Sequence, residues 1–196
     1  MISPDAGGGR RERHKADTRR ALEDAALRRF AADGYDATSV EAIAADAAVS
    51  ARTFFRYFGA KDEVLDMGRV ERQAELRDLV ADARGTGLDV VRAALMHVAA
   101  GFAGDRHRVA LRQRAAATSP VLRGRLFDTF ASWEHALATA LAARQEPDAD
   151  TLAVVGIAVF RAATTGWLRD GGDLTHRVEA GFDALSPRGR PASRAR

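Results

Sequence analysis

The sequence contains no cysteine. Disulfide scaffolds, thiolate zinc sites, iron–sulfur clusters and cysteine nucleophiles are therefore excluded. Lysine is almost missing as well: of 30 cationic residues only Lys15 and Lys61 are lysines. Long apolar runs are lacking. The longest is Leu152–Phe160, and a membrane-spanning helix needs about 20 residues. Residues Met1–Gly9 lack the apolar stretch of an export signal. The expectation is a cytoplasmic chain with no membrane partner.

Signatures of catalysis are also missing. The five histidines are His14, His97, His107, His135 and His176, and no two share metal-ligand spacing on one helix. There is no Gly-x-Ser-x-Gly elbow, no Gly-x-Gly-x-x-Gly turn and no Gly-Lys phosphate loop. The acid pairs Asp148/Asp150 and Asp170/Asp173 fall at expected helix ends, where capping accounts for them. The expectation is no enzyme, no metal and no cofactor.

What is present is the mix of a globular protein: 196 residues, 46% hydrophobic and 29% charged, enough for one large or two small domains. The net charge of +3 is unevenly placed. Residues 10–29 hold eight cations against four acids, and residues 186–196 hold four arginines and no acid. The rest of the chain is acidic. Uneven basicity of this kind hints at a nucleic-acid partner.

Periodicity predicts helices throughout. Sustained period-two alternation is missing, so no sheet is expected. Leu22, Ala26 and Phe30 recur every four residues, with Asp17 as a start signal and Gly34 as a stop. Thr38 and Glu41 have the form of a capping box opening a short helix with Val40, Ile43 and Ala44. After a break at Ala48-Val49, Ser50 caps a second short helix carrying Phe54 and Phe58. Two short helices so closely joined make a helix-turn-helix. Further helices are expected over about 62–83, 88–102, 106–117, from Pro120 to about 141, from about 148 to 170, and up to about 185. In residues 50–58, Phe54 and Phe58 serve a core, and Ser50, Ala51, Arg52, Thr53, Arg56 and Tyr57 are left outside. An exposed Arg52 suits bidentate pairing with guanine, and Ala51 suits a thymine methyl group.

Residues 38–65 read TSVEAIAADAAVSARTFFRYFGAKDEVL. This stretch resembles the DNA-binding domain of the TetR family of bacterial repressors. The matching positions are Ile43-Ala44, Ala47-Ala48-Val49-Ser50, Thr53, Phe54-Phe55, Tyr57-Phe58 and Lys61-Asp62-Glu63-Val64. Residues 120–185 more loosely resemble regulators of the mycofactocin type. The resemblance implies an all-α fold: an N-terminal three-helix DNA-binding domain with the helix-turn-helix, then a C-terminal helical ligand-binding and dimerisation domain. It divides the chain into a flexible basic leader at 1–16, the DNA-binding domain at 17–60, the effector and dimerisation domain at 61–185, and a disordered Arg-rich tail at 186–196. It implies base contacts from Ala51, Arg52 and Tyr57, and phosphate contacts from Thr38, Ser50, Thr53 and Lys61. Two positions depart from the pattern. The turn glycine is Ala48, where φ is often positive, and an aromatic that is often Tyr is Phe55, which has no hydroxyl to donate. Arg56 is the expected replacement for that phosphate contact.

The helix at 150–170 is apolar almost all round, so it needs cover on more than one side. A second copy of the chain is the simplest cover. Leu152, Val155, Val159 and Phe182 are the expected interface residues, and a two-fold dimer predicts a palindromic double-stranded operator. For a small-molecule effector the middle helices offer Met96, Phe102, Leu111, Phe130, Trp133 and Trp167 as an apolar lining, with His97, Arg112, His135 and Thr164 as polar anchors. An apolar or acylated molecule suits that lining, although for any one of these residues an ordinary helical core is the favoured explanation. The function expected is a homodimeric repressor released by such an effector. The alternatives are a constitutive or architectural DNA-binding protein without effector, or a helical small-molecule carrier or enzyme.

Overall fold

A computed structural model describes residues 6–66 and 68–185. Among them the regular elements are all helical: α1 (Ala6–Asp33), α2 (Val40–Asp46), α3 (Ala51–Tyr57), a 3₁₀ turn (Lys61–Leu65), α4 (Arg69–Asp82), α5 (Leu88–Ala103), α6 (Arg106–Thr118), α7 (Pro120–Ala143), α8 (Ala149–Asp170) and α9 (Leu174–Leu185). The expected all-α class is found, with local corrections. Asp17 is not the start of α1, because the helix already runs from Ala6, and most of the stretch given to a flexible leader is helical. The cap of α2 is Ser39 rather than Thr38: the Ser39 hydroxyl accepts from the Ala42 N–H at 3.1 Å. The helix expected from Asp62 is split, since a 3₁₀ turn precedes α4. The tail at 186–196 lies outside the described residues.

The chain divides into two compact units, and the division is not the one at residue 60. Unit 1 comprises residues up to 67 together with 107–129. Its core joins Leu22, Ala26 and Phe30 of α1, Ile43 of α2, Phe54 and Phe58, Val64 and Leu65 to Leu111 and Ala115 of α6 and Leu122 of α7. Burying each such large side chain stabilises the unit by about 1.5–3 kcal/mol. Charge reinforces the packing. Arg108 and Arg112 of α6 both reach Glu23 of α1, and Arg108 also lies 2.7 Å from Asp24. Thus α6 belongs with the first three helices because its apolar face completes their core.

Unit 2 comprises 68–106 and 130 onward. Here α8 packs with α5 and α9. By length and composition α8 is apolar enough to cross a membrane. In this fold it supplies core residues Ala153, Ile157, Phe160, Ala163 and Trp167. The approach to α5 is close: a Cβ on Gly156 would overlap Val91 and lie 3.2 Å from Leu95 Cδ1. The C-terminal end of α4 is closed by Arg144, which donates to the carbonyl oxygens of Val80, Ala81, Ala83 and Gly85. Val80 and Ala81 belong to the last turn of α4, whose carbonyls lack full helical pairing, and Ala83 and Gly85 to the loop that follows.

Candidate nucleic-acid interface

The two short helices of unit 1 are set by their turn. The N–H groups of Ala48 and Val49 donate back to Ala45 and Ala44, at 3.0 and 2.9 Å. That double closure requires a left-handed residue, and Ala48 sits there with φ 55°. A methyl group at such a position costs about 1 kcal/mol, which glycine would avoid. Ser50 then caps α3 as expected, its hydroxyl accepting from the Thr53 N–H at 3.2 Å. The Ser50 and Thr53 hydroxyls also lie 3.0 Å apart. Arg29 fixes α2 to α1 through a two-pronged pair with Asp46, at 2.6 and 2.8 Å. The hydrogen bond from Arg29 is the main reason the Asp46 carboxyl is held below the usual carboxylate range.

With Phe54 buried on one side, α3 presents Arg52, Phe55 and Arg56 on the other, all exposed. These positions fall at i, i+3 and i+4 and so form one stripe. The long donors Arg52 and Arg56 flank an aromatic ring that is 56% exposed. An apolar ring left in water between two cations suits a partner that covers rings and attracts positive charge. Ala51, Thr53 and Tyr57 are half-buried at the edges of this stripe. Tyr57 packs against the core and carries the Arg56 guanidinium 5.2 Å from its ring centre. Phe55 was not among the expected contacts, because its ring has no hydroxyl to donate to a phosphate.

Two expected phosphate contacts are engaged within the chain. The Thr38 hydroxyl is buried and donates to the Gly34 carbonyl at 2.7 Å. The Lys61 Nζ donates to the carbonyls of Tyr35 and Thr38, at 2.7 and 2.9 Å, and lies 4.1 Å from the Tyr35 ring centre. Beside it Asp62 is paired with Arg125 of α7 and accepts from the Tyr35 hydroxyl at 3.4 Å. Burial first, then the Asp62 charge, raises the Tyr35 hydroxyl above its ordinary pKa. Arg10, Arg11, Arg13 and Lys15 are exposed on the first turns of α1.

The residues expected to line one effector pocket fall in separate places. Leu111 and Arg112 belong to unit 1, in its core and beside Glu23. In unit 2, Phe102, Phe130 and Trp133 form an aromatic cluster with Phe160, with ring centres 5.4–6.2 Å apart. Thr164 is buried but donates to the Phe160 carbonyl. Trp167 donates its indole N–H to Gly172, which makes it a fastener of the α8–α9 turn. Met96 is half-buried, His135 is exposed, and His97 is exposed and 3.4 Å from Glu75. Of the expected interface residues, Leu152, Val155 and Val159 are half-buried beside an exposed Val154. Phe182 is buried within its own chain, so it is not available to a partner.

Comparison with known proteins bears on both units. The family model "Bacterial regulatory proteins, tetR family" matches residues 22–66, and "MftR C-terminal domain" matches residues 86–189. A relative from Mycobacterium tuberculosis, named as the mycofactocin biosynthesis transcriptional regulator MftR, is 29% identical over 181 residues, covering 88% of this chain and 91% of its own. The fold is similar to that of the fatty acid degradation regulator FadR from Bacillus halodurans, with a TM-score of 0.63 and 21% identity over 88% of this chain and 97% of the other. It is also similar to Thermus thermophilus FadR, a TetR-family repressor solved with lauroyl-CoA, with a TM-score of 0.54 and 24% identity over 85% and 92% of the two chains. With its capped helix-turn-helix and a helical body of the MftR type, the chain belongs to the TetR family of DNA-binding transcriptional regulators.

Proposed function

We propose that this regulator is a homodimeric repressor, that α3 reads its operator, and that a small apolar or acylated molecule releases it. The observation that carries this reading is the stripe of Arg52, Phe55 and Arg56 on a helix held by a capped turn. Arg52 pairs with guanine, Ala51 and Tyr57 touch neighbouring bases, and Arg56 takes a phosphate. Ser50 and Thr53 reach the backbone at the start of α3, and the remaining proton of Lys61 and the edge at Thr38 and Ser39 extend that contact. The dimer uses the α8 face at Leu152, Val155 and Val159, where Val154 is 49% exposed. Two copies related by a two-fold axis place their reading helices about 34–36 Å apart and select a palindrome. Release follows when the effector binds better to the form with mismatched helix spacing. The protein acts in the cytoplasm.

The test combines sedimentation and gel shift. A dimer at micromolar concentration, and DNA from upstream of its own gene freed by lauroyl-CoA, support the reading. A monomer under those conditions rejects the two-fold arrangement, and retention of the DNA at saturating lauroyl-CoA rejects an acylated effector of that kind.

A further inference from the structure

Arg125 stands on α7, outside the helix-turn-helix and 63 residues from the turn it holds. Its Nε donates to one oxygen of Asp62. The other Asp62 oxygen accepts from the Tyr35 hydroxyl at 3.4 Å. Lys61, the preceding residue, meets the same tyrosine elsewhere. Its Nζ lies 4.1 Å from the ring centre and donates to the Tyr35 and Thr38 carbonyls at 2.7 and 2.9 Å. One tyrosine thus touches both the Lys61 ammonium and the Asp62 carboxylate. All of these groups belong to unit 1.

The 3₁₀ turn is acidic: Lys61 is followed by Asp62 and Glu63, and Asp66 stands just past its end. Glu63 is engaged with the Gly59 N–H at 2.7 Å. Asp62 is 8% exposed, so water screens its charge poorly and the protein must match it. Arg125 does so from α7. The hydrogen bond to Asp62 is the main reason the Arg125 guanidinium holds its proton more tightly than usual, and the charges of Asp66 and Glu63 act in the same direction. With Arg125 gone, the Asp62 carboxylate has lost its partner, and Lys61 is the cation one residue away. Pairing between the two would cancel the charge that Lys61 offers to an anion. It would also draw Nζ from the carbonyls of the loop before Ser39, whose hydroxyl caps α2.

We infer that Arg125 is a positioning residue for DNA binding: by holding the Asp62 carboxylate, it leaves Lys61 on the Tyr35 and Thr38 carbonyls with its charge free for a phosphate. This rests on the reading above that the remaining Lys61 proton meets the DNA backbone. Arg125 acts through Lys61 and not on the DNA itself. The electrostatics of the DNA-facing edge therefore depend on a helix beyond the helix-turn-helix.

Titration of the full chain with a random-sequence DNA duplex over a range of salt tests this, because phosphate contacts carry such binding and set its salt dependence. Lys61→Met is expected to flatten the slope of log K against log salt by about 0.9 and to lower affinity about fivefold near physiological salt. Arg125→Met is expected to do the same, and the two together no more than either alone. Adding Asp62→Asn to Arg125→Met removes the stranded carboxylate and is expected to restore both slope and affinity. A normal slope in Arg125→Met, additive losses in the pair, or no restoration by Asp62→Asn overturns the inference and leaves the Lys61 contact standing. A normal slope in Lys61→Met overturns the phosphate reading of Lys61 and the inference with it. Circular dichroism checks the fold. If Arg125→Met alone does not fold, the Arg125→Met/Asp62→Asn chain decides, since it buries no unpaired charge: slope and affinity as in the unaltered chain support the inference, and a loss as large as that of Lys61→Met overturns it.

Discussion

Units 1 and 2 are built of the same helical material but assemble their chemistry differently. The outward face of unit 1 comes from one short helix, with Arg52, Phe55 and Arg56 inside five consecutive residues. The aromatic cluster of unit 2 draws Arg72, Phe102, Trp133 and Phe160 from α4, α5, α7 and α8. A site on one helix is fixed by helical spacing and two caps. A cluster gathered from four helices exists only when the tertiary packing is right.

Substitutions sharpen that contrast. The largest effect is expected from Phe54→Ala, which empties the centre of the unit 1 core and lowers stability by about 3–5 kcal/mol. Chemical denaturation measures it, and a loss below about 1 kcal/mol would mean that α3 is not anchored through this ring. In unit 2 the equivalent test adds volume. Gly156→Ala drives a methyl group into Val91 and costs about 1–3 kcal/mol; an unchanged melting curve would contradict the close α5–α8 approach. Arg52→Ala leaves stability alone and removes about 1–3 kcal/mol of discrimination between operator and random DNA. Equal losses on the two DNAs in a titration would make Arg52 a phosphate contact instead. The smallest effect is a gain: Ala48→Gly relieves the positive φ and stabilises unit 1 by about 0.5 kcal/mol. A loss of stability there would show that the turn tolerates the methyl group without strain.

The same contrast explains what was legible in the sequence. The helix-turn-helix could be read closely because its determinants are local: the Ser50 cap and the buried Phe54 stand where spacing puts them, and the strained Ala48 where the family resemblance puts it. Local signals misled where competitors stood side by side. Thr38 and Ser39 both suit a cap, and Thr38 turned inward to Gly34 because its side chain is buried. The unit boundary was illegible, since α6 joins the core of the first unit through Leu111 and reaches Glu23 through Arg112, a pair more than 80 residues apart in sequence. The residues expected to line an effector pocket were only partly brought together by the fold. Aromatic content pointed to Phe102, Phe130 and Trp133, but nothing local separated the unpaired indole of Trp133 from the paired one of Trp167.

The central claim is that α3, carried by a two-fold dimer, reads a specific DNA sequence. Nuclease footprinting of the full chain on DNA flanking its own gene tests this most directly. The account predicts a protected palindrome whose half-sites face α3 pairs about 34–36 Å apart, at protein concentrations well below those that coat random DNA. Protection that appears only together with general coating, or that covers a single unrepeated half-site, would contradict it.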